Sequence, residues 1–350
     1  MKFELDKIAR KSLAKVKRYS TARDEFKGVA SVFLDANENP FPTDFNRYPD
    51  PNQEKLKLAL AKLKGVDINQ ILLGNGSDEI IDLLFRAFCE PGVDNVIIPQ
   101  PTYGMYSVCA AINDIEIRLP QLTPDFQLEL SAINKNIDSH TKLIFLCSPN
   151  NPSGNLLSRK DVLQLLESFH GLIVVDEAYI DFSGSAGLMP ELKEFPNLIV
   201  LQTFSKAWGL AGLRLGVGYA SQAVIALLQK IKPPYNINSL TQNIALAALV
   251  DSSIKNEQLD SIIKERKYME KKLGQFSFVN KVYPSDANFI LTQVNDAQRC
   301  YDHLLQQGII VRNRSSVVMC DNCLRITIGT QEENKKLIEA LTKYEKSIIY

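Results

Sequence analysis

The sequence predicts an α/β protein: a large domain built on a mostly parallel sheet, joined to a smaller α+β domain. Three observations carry this expectation. From about residue 51 to residue 204, short apolar runs alternate with helical patterns, as strand–helix–strand units require. After about residue 252 the pattern changes to shorter alternating strands mixed with helices. The length, 350 residues, suits two domains with a core in each.

The elements follow in order. Residues 1–18 interleave basic side chains with Ile8, Leu13 and Val16, the pattern of a short surface helix. Leu56, Leu60 and Leu63 share one helical stripe; 71–73 reads as a strand, 80–88 as a helix and 96–98 as a strand. Strands at 142–146, 172–175 and 198–201 come next, with a helix opened by Ser158 and Asp161 in a capping arrangement. Near-continuous Val, Ile and Leu in these runs is what a parallel sheet covered on both faces demands. A charged helix at 252–273, with Leu259, Ile262, Ile263, Met269 and Leu273 on one side, connects two lobes. Strands are expected at 287–292, 308–312 and 324–328, and a closing helix contains Leu337, Ile338 and Leu341. The expected division is 1–45 as an N-terminal arm and part of the small domain, 46–252 as the large domain and 253–350 as the small domain.

Composition narrows the partners. Lys plus Arg (40) equals Asp plus Glu (40), so no sequence-wide basic field exists for nucleic acid or a membrane surface, and a small-molecule partner is expected. The first 20 residues lack the apolar stretch of a secretory signal, and no apolar run is long enough to span a bilayer. Six cysteines are too few for a disulfide scaffold, which points to a reducing compartment and hence the cytoplasm. Cys320 and Cys323 form a lone C-x-x-C, and His140, His170 and His303 are scattered singly. Two thiols near a turn are expected there, and no metal site.

Ligands of open α/β sheets bind beyond the carboxyl ends of the strands, so polar residues that abruptly end apolar runs mark candidate chemistry. Four such places occur. After 71–73 comes Gly74-Asn75-Gly76-Ser77-Asp78, a tight turn into a helix whose free amides could hold a phosphate; Glu79 stands where a dinucleotide fingerprint needs its third glycine. After 172–175 comes Asp176-Glu177-Ala178-Tyr179. A carboxylate at a buried strand end needs a cationic or proton-bearing partner, unless Asp176 serves as a helix cap. A nucleotide-bound magnesium is set aside, because the chain has no Gly-Lys pair and so no phosphate-binding P-loop. After 198–201 comes Ser205-Lys206-Ala207-Trp208, with Arg214 eight residues past the lysine. That context suits an amine of lowered proton affinity beside groups able to hold a phosphate. After 142–146 comes Ser148-Pro149-Asn150-Asn151-Pro152-Ser153-Gly154, a fixed turn offering the Asn151 amide as a donor.

The order N-P-x-G, D-x-A-Y, S-K and a later arginine is more specific than any one member. With the segments Arg18–Arg23, Leu34–Pro40, Asn46–Pro49, Pro101–Tyr106 and Leu324–Gly329, the chain resembles the fold-type I aminotransferases that use pyridoxal phosphate. Among them it is most similar to the histidinol-phosphate aminotransferase family, from about residue 19 to residue 332. The resemblance implies a large domain with a mostly parallel seven-stranded sheet between helices, plus a smaller α+β domain. It implies that Lys206 carries the cofactor and moves the substrate proton, and that Asp176 pairs with the protonated ring nitrogen. It further implies that Tyr103 stacks on the ring while Asn151 and Tyr179 bond its hydroxyl oxygen. Gly76, Ser77, Ser205 and Arg214 would hold the cofactor phosphate, and Tyr48 would reach the phosphate in the neighbouring subunit of a homodimer.

Arg325 matches the arginine that grips the substrate's acidic group, and strand alternation turns it away from Leu324, Ile326 and Ile328. Arg312 and Tyr19 are the next candidates for the substrate phosphate, although Arg312 also reads as a solvated strand-edge residue. Trp208, Met105 and Tyr106 read as packing, and Ser153 replaces the family's usual threonine with its hydroxyl kept. The implied substrates are a phosphorylated amino alcohol, L-histidinol phosphate, and the glutamate/2-oxoglutarate pair, with no nucleic acid and no membrane partner. A threonine-phosphate decarboxylase and an aromatic amino-acid aminotransferase share the same cofactor frame and stay open. A DNA-binding regulator on this fold would need an added domain, for which the residues before Tyr19 leave no room.

Overall fold

A computed structural model describes residues 4–26, 28 and 30–349. Seven strands form the large sheet: β1 (Ile71–Asn75), β2 (Asn95–Ile97), β3 (Glu116–Arg118), β4 (Thr141–Cys147), β5 (Leu172–Asp176), β6 (Leu198–Thr203) and β7 (Leu215–Ala220), in the order β1-β7-β6-β5-β4-β2-β3. β7 runs antiparallel to both neighbours, and the other pairings are parallel. Alternation along each strand divides the core in two. Ile144, Leu146, Ile173, Val175 and Val200 meet Leu56, Leu60, Val162 and Leu165 on one face. Leu143, Phe145, Leu172, Val174 and Leu201 meet Ile80, Leu84, Phe85, Tyr106 and Val224 on the other.

Sequence signals place most of these helices. Ser158 accepts the Asp161 N–H and opens helix Arg159–Ser168. Leu56 and Leu60 are buried in helix Glu54–Lys64, but Leu63 is 51% exposed: it lines a solvent-open cleft with Lys64 and Pro190 rather than the core.

The N-terminal segment differs from the single helix expected. It forms a short α-helix Leu5–Ile8 and a 3-10 turn Lys11–Lys15, and residues 1–3 lie outside the described residues. The Arg10 N–H donates to the Ala87 carbonyl, tying the chain to helix Gly76–Phe88. Ile8 and Leu13 thereby join the core of the large sheet, not the small domain.

A second sheet of four antiparallel strands follows: β8 (Val279–Val282), β9 (Phe289–Val294), β10 (Arg312–Asn313) and β11 (Cys323–Thr327), ordered β10-β11-β9-β8. Its core joins Leu324, Ile326 and Ile290 to Met269 and Leu273 of helix Ser253–Leu273 and to Leu337 and Leu341 of helix Gln331–Ile349. The strand expected at 308–312 shrinks to its last residue and one more. Gly308, at φ +73°, ends helix Ala297–Gln306 by donating to the Leu305 carbonyl, so the chain must first turn before it pairs. The strand expected from 287 begins at Phe289, because Ala287 belongs to a turn held by the Ser285 hydroxyl. Cys320 lies buried in the turn before β11 and Cys323 is buried as that strand's first residue, its N–H donating to the Cys320 carbonyl. Among the described residues no helix is long and apolar enough to cross a membrane.

Candidate active site

The carboxyl ends of β4, β5 and β6 and the start of helix Gly76–Phe88 open on one cleft. Ser77, Tyr103, Asn151, Asp176, Tyr179, Ser205, Lys206 and Arg214 all line it. Asp176 forms its floor as the last residue of β5, paired in register with Cys147 of β4 and only 3% exposed. Its Oδ1 accepts the Ala178 N–H at 3.0 Å and its Oδ2 accepts the Tyr106 hydroxyl at 2.7 Å. Burial pushes its pKa up to about 6 against these two bonds.

Lys206 follows β6 in a turn where the Thr203 hydroxyl accepts the Ser205 N–H and the Lys206 carbonyl accepts the Gly209 N–H. The open cleft leaves much of the residue accessible, while its amine sits 5.5 Å from the Tyr179 ring centre. Desolvation lowers its proton affinity and Arg325 lowers it further, with Asp176 acting the other way. Trp208 stacks on Phe204 at 5.1 Å and is packing, as its sequence context suggests.

A cradle of the kind that can hold an anion lies at the helix start. Arg214 adopts φ +53° and its carbonyl accepts the Gly76 N–H at 2.6 Å. Its guanidinium then reaches the Ser205 hydroxyl at 3.4 Å and Asp78 at 3.6 Å. Gly76 sits at φ +74°, and a Cβ there would lie 2.6 Å from Arg214 Nη2, so the cradle exists because this residue is glycine.

Arg325 enters from the small domain. Leu324, Ile326 and Ile328 turn into that domain's core, so Arg325 points the other way. Its Nη1 donates to Asn151 Oδ1 at 2.5 Å, and its guanidinium lies over the Phe289 ring. Asn151 is held by a loop in which Asn150 Nδ2 donates to the Ser153 hydroxyl and to the Pro101 carbonyl. The remaining candidates are not part of the cleft in this chain: Tyr19 is exposed, Arg312 is exposed opposite Arg325 on β10, and Tyr48 stacks on Tyr235 at 4.4 Å.

The sequence profile of aminotransferase class I and II matches residues 23–341. The chain belongs to the class I and II aminotransferases. It is 55% identical over 345 residues to the histidinol-phosphate aminotransferase of Christiangramia forsetii, covering 98% of this chain and 99% of that one. Among solved structures, the histidinol-phosphate aminotransferase of Clostridium acetobutylicum superposes with a TM-score of 0.81 at 26% identity, covering 87% of this chain and 92% of that one. The Sinorhizobium meliloti enzyme of the same name, in complex with pyridoxal-5'-phosphate, gives 0.79 at 24% identity, covering 87% and 84%.

The cleft of this aminotransferase fits a pyridine ring bearing a phosphate and an aldehyde. It offers a buried carboxylate on its floor, an amine of lowered proton affinity, and a glycine–arginine cradle at a helix N-terminus. Sequence reasoning missed three residues here. Asp78 stands in the segment already singled out, and its carboxylate takes the Tyr103 hydroxyl and Arg214. Tyr106 read as wall, yet it bonds Asp176. Arg314, two residues past Arg312, keeps a buried Nε without a partner. Arg312 and Tyr179 act on both Arg314 and Arg325, and Arg325 and Cys320 act on Arg314 as well; among the described residues, no carboxylate joins them.

Proposed function

We propose that this aminotransferase uses pyridoxal phosphate to interconvert L-histidinol phosphate and 2-oxoglutarate with imidazole acetol phosphate and L-glutamate, a step of histidine biosynthesis. One observation carries the substrate reading: Arg325, with Arg312 and Arg314 beside it and no carboxylate of the described residues acting on it, faces the cleft that holds Lys206 and Asp176. A guanidinium fork there would donate to a phosphate ester in one half-reaction and to a carboxylate in the other.

When bound, the cofactor supplies an aldehyde that takes up amino groups and a ring that accommodates the electron pair of the substrate carbon. The chain's residues do the rest. Asp176 sets a negative charge against the ring nitrogen. Arg214, Ser205 and the amides of Gly76 and Ser77 hold the phosphate. Lys206 Nζ, less basic than a free lysine, accepts the proton of the substrate carbon and returns it. Tyr103, Asn151 and Tyr179 shape the walls around it.

A homodimer belongs to the same proposal. Phe33, Leu34, Phe41, Phe45 and Tyr48 leave apolar surface exposed on one segment, which supports burial against a second copy that would bring Tyr48 to the partner's site. The boundary at 252/253 is likewise proposed, supported by helix Ser253–Leu273, which packs into the small-sheet core. Six cysteines, all buried and unpaired, support the cytoplasm.

The 55% identity over 98% of the chain favours this reading over the threonine-phosphate decarboxylase and aromatic alternatives. The test is a substrate panel. Histidinol phosphate should consume 2-oxoglutarate mole for mole and yield glutamate; carbon dioxide release from threonine phosphate, without consumption of 2-oxoglutarate, would overturn it.

A further inference from the structure

Tyr106 is fully buried on helix Met105–Ile112, stacked on Phe145 at 5.0 Å and edge-on to Tyr103 at 5.5 Å. A phenylalanine would fill that space equally well, and burying a hydroxyl without a partner is costly. The hydroxyl donates to Asp176 Oδ2 at 2.7 Å, from behind the face that Asp176 shows to the cleft, and the Cys147 thiol also lies against it. With the Ala178 N–H on Oδ1, this bond fixes both oxygens of the carboxylate.

Other groups face Asp176 without bonding it. Cys147 comes from β4, Asp78 from helix Gly76–Phe88, Tyr103 from the loop before helix Met105–Ile112, Lys206 from the turn after β6, and Glu177 and Tyr179 from its own loop. Asp78 works against its ionisation and Lys206 supports it. Burial and the Asp176 charge push the Tyr106 hydroxyl's own ionisation far up, so it stays a donor.

We infer that Tyr106 is a positioning residue, whose hydroxyl anchors Asp176 so that a charged carboxylate oxygen meets the ring nitrogen of the bound cofactor; this rests on the pyridoxal phosphate reading above. A hydrogen bond to a charged acceptor is worth about 10- to 100-fold in an equilibrium. Removing it leaves Asp176 less ionised and held at Oδ1 alone.

The test uses the full chain with pyridoxal phosphate. Tyr106→Phe keeps the ring and its stacking, so a purely packing role predicts no change. The inference predicts cofactor affinity at least about tenfold weaker. It also predicts a higher pH midpoint for the absorbance change of the bound cofactor, because a less protonated ring nitrogen lets the link at Lys206 keep its proton to higher pH. Fluorotyrosine at 106, a stronger donor, should move both readings the opposite way, and it decides the matter if Tyr106→Phe does not fold. In an Asp176→Asn background most of the effect should vanish. If wild type binds the cofactor and neither substitution changes affinity by more than about twofold, or if Tyr106→Phe costs as much in the Asp176→Asn background as in the wild-type chain, the inference fails. A wild-type chain that takes up no pyridoxal phosphate would instead sink the cofactor reading.

Discussion

Asp176 makes the cofactor-free chain less stable for the sake of its site, and Asp176→Asn exposes that cost. Burial raises the carboxyl from its ordinary 3.8 to about 6. At 1.36 kcal/mol per pH unit, this difference corresponds to about 3 kcal/mol. Between about pH 4 and about pH 6 the folded chain keeps a proton that the unfolded chain has lost, so unfolding free energy falls as pH rises, and above about pH 6 the penalty is complete. Asparagine keeps an oxygen for the Ala178 N–H and carries no charge. The cofactor-free variant should therefore be more stable than wild type by up to about 3 kcal/mol near pH 8 and nearly equal to it near pH 4. With an unfolding entropy of about 2.1 cal/mol/K per residue over 350 residues, the gain is about 4 °C in Tm. Adding pyridoxal phosphate should shrink the variant's lead near pH 8, because wild type, which holds the cofactor more tightly, gains about 2.7 kcal/mol at a hundredfold excess over its Kd and the variant gains less. Thermal melts of both proteins, at both pH values and with and without cofactor, supply the four comparisons. A variant no more stable than wild type near pH 8, or stabilised equally near pH 4, would refute the reasoning.

Three further outcomes follow from the same geometry. Lys206→Ala should abolish amino transfer and leave no borohydride-trapped cofactor on the peptide that contains position 206; transfer at the parent rate would remove Lys206 from its role. Gly76→Ala forces a Cβ to 2.6 Å from Arg214 Nη2 at φ +74°. It should cost about 1–3 kcal/mol of stability and weaken cofactor binding, and an unchanged Kd in a titration would show that the cradle is not used. Arg325→Gln should raise KM for both histidinol phosphate and glutamate by about 30-fold or more while cofactor affinity holds, and a rise for only one substrate would assign the other to Arg312 or Arg314.

Which parts of the site were legible in the sequence follows a physical rule. Asp176 was visible because it ends the apolar run of β5, and Lys206 because it comes just past the buried run of β6 and before Ala207 and Trp208, where a solvated lysine is out of place. Strand β7 escaped the pattern because two of its six residues are Gly216 and Gly218. Their reason is tertiary: a Cβ at Gly216 would lie 2.2 Å from Ser77 N, so the strand is bare where the start of the cradle helix rests on it. Arg214, at the head of that strand, was accordingly read from its place eight residues past Lys206 and from the resemblance, not from strand periodicity. Tyr106 lies among apolar residues of its helix, and nothing local tells a buried phenol that packs from one that donates to a carboxylate 70 residues away. Arg314 carries no local signal either, because burial of its Nε depends on how β10 and the turn after it lie over Tyr179 and Arg325. Local patterning thus records which residues end strands, whereas the groups that tune those residues come from elements crossing the sheet, and their choice is written in packing.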